Sequence, residues 1–164
     1  MCTSSAVLLN GRIQDQTKGS NGYLTLDRDW SDGDRIELEL AMPVRFVGAH
    51  PQVFELAGQV AVLQVPLVFC AEEVDNGPDL HNLIIDPSGP TKATFFPSLM
   101  GGTLKISLDG LRQSLQPSEG LYPACDISRT GESVEVVLVP YHQWGNRKPG
   151  QEMRVWFRAE RGWP

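Results

Sequence analysis

Residues 36 to 40 read Ile-Glu-Leu-Glu-Leu, and this strict alternation constrains the chain more than any other feature. A period of two places Ile36, Leu38 and Leu40 on one face of a half-buried strand, with Glu37 and Glu39 on the other. Upstream, Leu24 and Leu26 alternate about Thr25, and Ser31-Asp32-Gly33-Asp34 supplies turn residues between the two runs. The segment Gly22 to Leu40 therefore reads as a β-hairpin, with Trp30 plugging the sheet end. The acids Asp27, Asp29, Asp32 and Asp34 lack the spacing and trailing glutamate of a calcium loop, so a solvated turn is expected.

The same grammar runs through the chain. Ala6 to Leu9 is a short strand entering an Asn10-Gly11 turn. Arg45 to Val47 is followed by a break at Gly48-Ala49-His50-Pro51. The run QVAVLQVPLVFC, from Gln59 to Cys70, is β-branched and apolar enough for a buried strand. Pro66 cannot donate to a ladder, so it marks a bulge, a bend or an edge. Short strands are expected at Leu83 to Ile85, Ala93 to Phe96, Leu104 to Leu108, Val134 to Val139 and Met153 to Arg158, punctuated by Gly/Pro-rich joints. No window carries a sustained helical stripe, and only Leu111 to Leu115 suits a turn of helix. The fold class is all-β, an antiparallel β-sandwich.

Composition closes off several functions. A chain of 164 residues is one domain or two small lobes. A net charge of −6 offers no basic footprint for nucleic acid. No run of about 18 apolar residues is present to cross a membrane, and the N-terminal residues do not read as a signal peptide, which places the chain in the cytoplasm. The three cysteines, Cys2, Cys70 and Cys125, are too far apart for a zinc motif and odd in number for a disulfide framework. Cys70 is expected to be a buried thiol.

Few residues carry chemistry. His50, His81 and His142 stand alone in loops, without partners at metal-ligand spacing, so neither a metal nor a cofactor is expected. Glu72, Glu73 and Asp75 are the one acidic cluster after a buried strand, but neighbours on a strand face opposite ways, which spoils a catalytic pair. No nucleophile elbow, phosphate loop or zinc-protease motif occurs, and no catalytic residue is assigned. The loop after Val139 is the densest in recognition chemistry. Tyr141 and Trp144 offer apolar rings and Asn146 and Arg147 polar orienters, a set that suits a sugar.

Four stretches carry a family resemblance: GYLTLDRDWSDGDRIELELAMPV at Gly22 to Val44, AHPQV at Ala49 to Val53, GQVAVLQVPLVFCAEEVDN at Gly58 to Asn76, and VPYHQWGNRKPGQEMRVWFR at Val139 to Arg158. Together they resemble the C-terminal β-sandwich region of the β-L-arabinofuranosidase family, glycoside hydrolase family 127. In that family, an (α/α)6 barrel ahead of this region performs retaining hydrolysis with a cysteine nucleophile on a zinc held by cysteines and a glutamate. None of those motifs maps onto the residues here, and neither Cys70 nor Cys125 stands in such a cluster. Gln64-Val65 replaces a usual Arg-Gly pair, His142 replaces an aromatic residue, and Gln151 looks inserted.

The resemblance implies two lobes, residues 1–52 with 145–164 and residues 53–144, the last strand returning to the first lobe beside the 22–40 segment. It also implies a strand ahead of Ala6 that Met1 to Ser5 is too short to supply. The resulting unpaired edge is a template for a second copy or for a separate barrel subunit. Three functions follow. The leading one is a non-catalytic accessory domain serving interdomain or subunit contacts, with Tyr141 and Trp144 filling a joint between lobes and Arg147 held by loop carbonyls or a carboxylate. The alternative is a module binding an arabinose-containing glycan through Trp144 and Tyr141, with Trp30 as a further platform. The third is an autonomous hydrolase using Glu72, Glu73 or Asp75.

Overall fold

The computed structural model describes residues 5–14, 23–113 and 131–160. Cys2 and Cys125, and the end of the helical turn expected at Leu111 to Leu115, lie outside them. Contacts divide the chain into two compact units, Met1–Pro43 and Val44–Pro164.

In the first unit, β1 (Ser5–Leu9), β2 (Arg12–Ile13) and β3 (Ile36–Leu40) form an antiparallel sheet in the order β2-β1-β3. Asn10 and Gly11 make the β1–β2 turn at φ 49° and 75°, the left-handed pair a tight hairpin needs. The β3 strand forms where alternation placed it, but its partner differs from the one expected. It pairs along its whole length with β1, Leu9 opposite Ile36 and Ser5 opposite Leu40. Residues 24–26 form no strand; Leu24 makes a single bridge. Beyond them the chain bonds locally instead of to a ladder: Arg28 Nε donates to the Asp29 carbonyl at 2.9 Å and its guanidinium lies 5.2 Å from the Trp30 ring centre. Trp30 is exposed and plugs nothing.

Asp34 organises the acidic turn. It accepts from Ser31 N at 2.9 Å and from Asn10 Nδ2 at 2.8 Å, and pairs with Arg28 at 3.2 Å. Asn10 Oδ1 accepts from Arg35 N at 2.8 Å, so one amide side chain fastens the two turns together.

The second unit contains β4 (Val44–Gly48), β5 (Gln59–Gln64), β6 (Leu67–Glu72), the single helical turn α1 (Glu73–Asn76), β7 (Leu83–Ile85), β8 (Thr91–Phe96), β9 (Thr103–Gln113), β10 (Gly131–Pro140), β11 (Met153–Arg154) and β12 (Trp156–Ala159). The all-β class is as expected, but the sheet closes on itself. Strands β5, β6, β10, β9, β7 and β12 pair in that order and β12 returns to β5. All these pairings are antiparallel except β12 with β7.

Alternate residues of every strand in the circuit point inward: Val60 and Val62, Phe69 and Ala71, Leu83 and Ile85, Ile106 and Leu108, Val136 and Leu138, and Phe157. Leu80, from a 3₁₀ turn before β7, completes the core. The apolar run from Gln59 to Cys70 is two strands, not one. Val65 and Pro66 are the turn between β5 and β6, joined by a cis peptide, with Gln64 opposite Leu67. This is the turn geometry that places a cis proline third of four residues.

The closing strand also departs from expectation. Met153 and Arg154 pair with β6, whereas Trp156 to Arg158 pair with β5, so the chain steps across at Val155 and fills the wedge where β5 and β6 part. It belongs to the Val44–Pro164 unit, where Phe157 is needed in the core, and is not paired with the 36–40 strand. The boundary between units accordingly falls at Pro43, not near residues 52 and 145.

Candidate functional site

Pro140 ends β10, Tyr141–Gln143 form one 3₁₀ turn, and the loop to Met153 folds back over the end of β6. Gly145, at φ 76°, aims its N–H at Glu72 Oε1, 2.7 Å away. Two residues later the Arg147 guanidinium enters the space between Glu72 and Asp75. Its Nε donates to Glu72 Oε2 at 3.1 Å and its Nη2 bonds the same oxygen; Nη1 and Nη2 reach Asp75 at 2.8 and 2.6 Å. Lys105 Nζ, from β9, completes the cluster at 2.9 Å from Asp75 Oδ1.

These four side chains are largely buried, Glu72 only 4% exposed, and their two negative and two positive charges balance. Burial raises the cost of ionising Asp75, but the bonds from Arg147 and Lys105 outweigh it and hold the carboxyl below its ordinary value. The two carboxylates push the Arg147 guanidinium further toward its charged form. Cys70 lies beneath: burial and the nearby Glu72 charge push its thiol up to about 12, only partly offset by Arg147, which makes it unreactive.

The neighbouring residues of α1 are equally engaged. Asn76 bonds the Val137 carbonyl through Nδ2 and the Val137 N–H through Oδ1, both at 2.9 Å, and so continues the β10 ladder. Glu73 Oε2 accepts from Glu152 N at 3.1 Å, and Glu152 Oε2 accepts from Leu80 N at 2.9 Å. Glu72, Glu73 and Asp75 therefore hold the loop rather than meet solvent as an acid/base pair. Of the two partners expected for Arg147, loop carbonyls or a carboxylate, the structure supplies carboxylates. Lys105, Asn76 and Glu152 were not, because each lies far along the chain from the group it bonds.

The four residues proposed to bind sugar do not converge. Arg147 is enclosed by the carboxylates, and Asn146 Nδ2 is used within the loop, 3.0 Å from the Gln143 carbonyl. Tyr141 and Trp144 are 46% and 43% exposed. Tyr141 alone of the four lines a groove of about 580 Å³, with Gln59, Val68, Met153, Arg154, Val155 and Trp156. Sequence reading missed Trp156 because it stands inside a strand. The described residues contain no grouping of histidine, cysteine and carboxylate side chains that suits a metal, and no helix among them is long and apolar enough to cross a membrane.

Comparison with known proteins places this β architecture among the glycoside hydrolases. Residues 44–158 match the glycoside hydrolase family 127 C-terminal domain, and residues 2–42 match the β-L-arabinofuranosidase, GH127 middle domain. The chain belongs to glycoside hydrolase family 127. It is 42% identical over 142 residues to a non-reducing end β-L-arabinofuranosidase of Bifidobacterium longum subsp. longum, a match covering 84% of this chain and 21% of that protein. Among solved structures, a GH127 β-L-arabinofuranosidase from Geobacillus stearothermophilus T6 superposes with a TM-score of 0.85 at 34% identity, over 97% of this chain and 25% of that one. A second, described as a GH127 β-arabinofuranosidase, gives 0.79 at 31% identity, over 96% and 23%. The chain thus spans about a fifth to a quarter of the length of these relatives. The matched family regions are the middle and C-terminal domains.

Proposed function

We propose that this chain is a non-catalytic accessory piece of a β-L-arabinofuranosidase-like hydrolase. It would make contacts with a barrel-bearing polypeptide of such an enzyme, or with a second copy of itself. The observation that carries the reading is the aliphatic row of β3. Ile36, Leu38 and Leu40 are 52%, 60% and 47% exposed, side by side on one face of a unit that matches the family's middle domain. Covering the exposed half of each such side chain would remove apolar surface from water, which favours a complementary surface. The acids on which an autonomous hydrolase would depend serve Arg147, Lys105 and backbone donors instead.

Size-exclusion chromatography with light scattering tests the contact role. The chain at high concentration is expected to exceed its monomer mass, or to co-elute with a barrel-bearing family member truncated before its own C-terminal region. Leu38→Lys is expected to abolish either association. A strict monomer that co-elutes with nothing would overturn the proposal.

A further inference from the structure

We infer that β3 of one copy of this chain docks as an added strand on the free edge of β8 in a second copy. This rests on the contact role of β3 proposed above and assigns the surface that receives it. Strand β8 lies off the closed circuit. It pairs with β9 from Thr91 opposite Leu108 to Phe96 opposite Thr103, and no described strand pairs with its other side. Thr91, Ala93 and Phe95 stand opposite Leu108, Ile106 and Leu104 and so share their face. Ile106 and Leu108 are buried, yet every residue from Lys92 to Phe96 is exposed, Phe95 at 62%. An exposed edge with neither a bulge nor a proline within it is a template for an incoming strand.

Pattern and charge select β3 as that strand. It has β1 on one side and no described strand on the other. Its aliphatic residues face one way and its acids the other, while β8 carries Ala93 and Phe95 on one face and Lys92 on the other. Laid antiparallel with Leu38 opposite Ala93, the two strands set Ile36 against Phe95 on one face and Glu39 against Lys92 on the other. Neither of those charges is committed: Glu39 and Lys92 form no salt bridge among the described residues. Residues 87–108 include no aspartate or glutamate, so the β8–β9 hairpin has no carboxylate to repel Glu37 and Glu39. The same charges disfavour pairing of β3 with a second β3. An antiparallel pair centred on Leu38 would set each Glu37 directly opposite a Glu39. A heterologous contact of β3 with β8 avoids that repulsion and covers Phe95 as well.

Analytical ultracentrifugation of the 164-residue chain over a concentration series tests the inference. Self-association is expected, and Phe95→Lys should weaken it by about tenfold or more. Lys92→Glu, which removes no packed ring, should weaken it too, and adding Glu39→Lys to that variant should restore it by reversing the charge pair. The decisive sample is an equimolar mixture of Leu38→Lys chain with Phe95→Lys chain, each monomeric alone. It should form a one-to-one complex, because the first supplies an intact β8 and the second an intact β3. Self-association that survives both Phe95→Lys and Lys92→Glu, or a mixture that stays monomeric, would overturn the β8 assignment while leaving β3 as a contact surface. A parent chain that is monomeric at every concentration would overturn this inference, whereas the contact role falls only if a barrel-bearing family member also fails to co-elute.

Discussion

Arg147 shows what a single side chain decides in this protein. It arrives in a loop rich in recognition residues, yet four of its N–H donors are spent on Glu72 and Asp75. Removing it would leave two carboxylates facing Lys105 alone. Breaking a buried pair in this way costs about 3–5 kcal/mol, so Arg147→Ala is expected to lower the melting temperature by roughly 10 °C or more. The pH dependence follows from Asp75. Its folded carboxyl titrates below its ordinary value of 3.8, so its contribution is fully present above that value and is lost as pH falls through the folded one. Urea unfolding across an acid series should show stability falling at the acid end, with a shallower fall in Arg147→Ala. An equally steep fall in the variant would contradict this account. Sequence alone leaves loop carbonyls or a carboxylate as the partner of Arg147 and gives no means of choosing, because Glu72 and Asp75 lie 75 and 72 residues away.

Strands were read correctly more often than their partners were. Alternation marks β3, and short apolar runs mark β7, β10 and the first half of β9; β9 runs on to Gln113, through residues where a helical turn is expected from the sequence. Pairing leaves no such mark. The 36–40 strand was assigned to a neighbour in sequence, whereas β1 offers a full five-residue register across a longer connection. Pro66 was read as an interruption of one strand, when with Val65 it makes the whole turn between two. Gly110, in β9, carries information only in three dimensions. A methyl group there would lie 2.8 Å from the Ile84 carbonyl oxygen and from Val136 Cγ2. Gly110→Ala should therefore spread β9 from β7 and cost about 1–3 kcal/mol, measurable as a lower denaturation midpoint. An unchanged midpoint would mean that β7 and β10 yield more easily than a closed circuit should.

At the scale of the whole molecule, the closed six-strand core explains how the Val44–Pro164 unit buries its apolar residues, while the β3 row of the Met1–Pro43 unit stays exposed. Family membership was legible from four sequence stretches; the division at Pro43 was not, because the closing strand's destination depends on the β5–β6 wedge. The loop from Tyr141 to Glu152 is organised by Gly145, Arg147 and Glu152 as a fastening, with Tyr141 turned to a groove on its outer side. The central proposal is that these 164 residues serve a hydrolase by contact and do not themselves hydrolyse. The direct measurement is release of nitrophenol from a nitrophenyl β-L-arabinofuranoside by the purified chain, with zinc and thiol present. The account predicts no release above the protein-free control. Release that scales with protein and disappears in Glu72→Gln would contradict it.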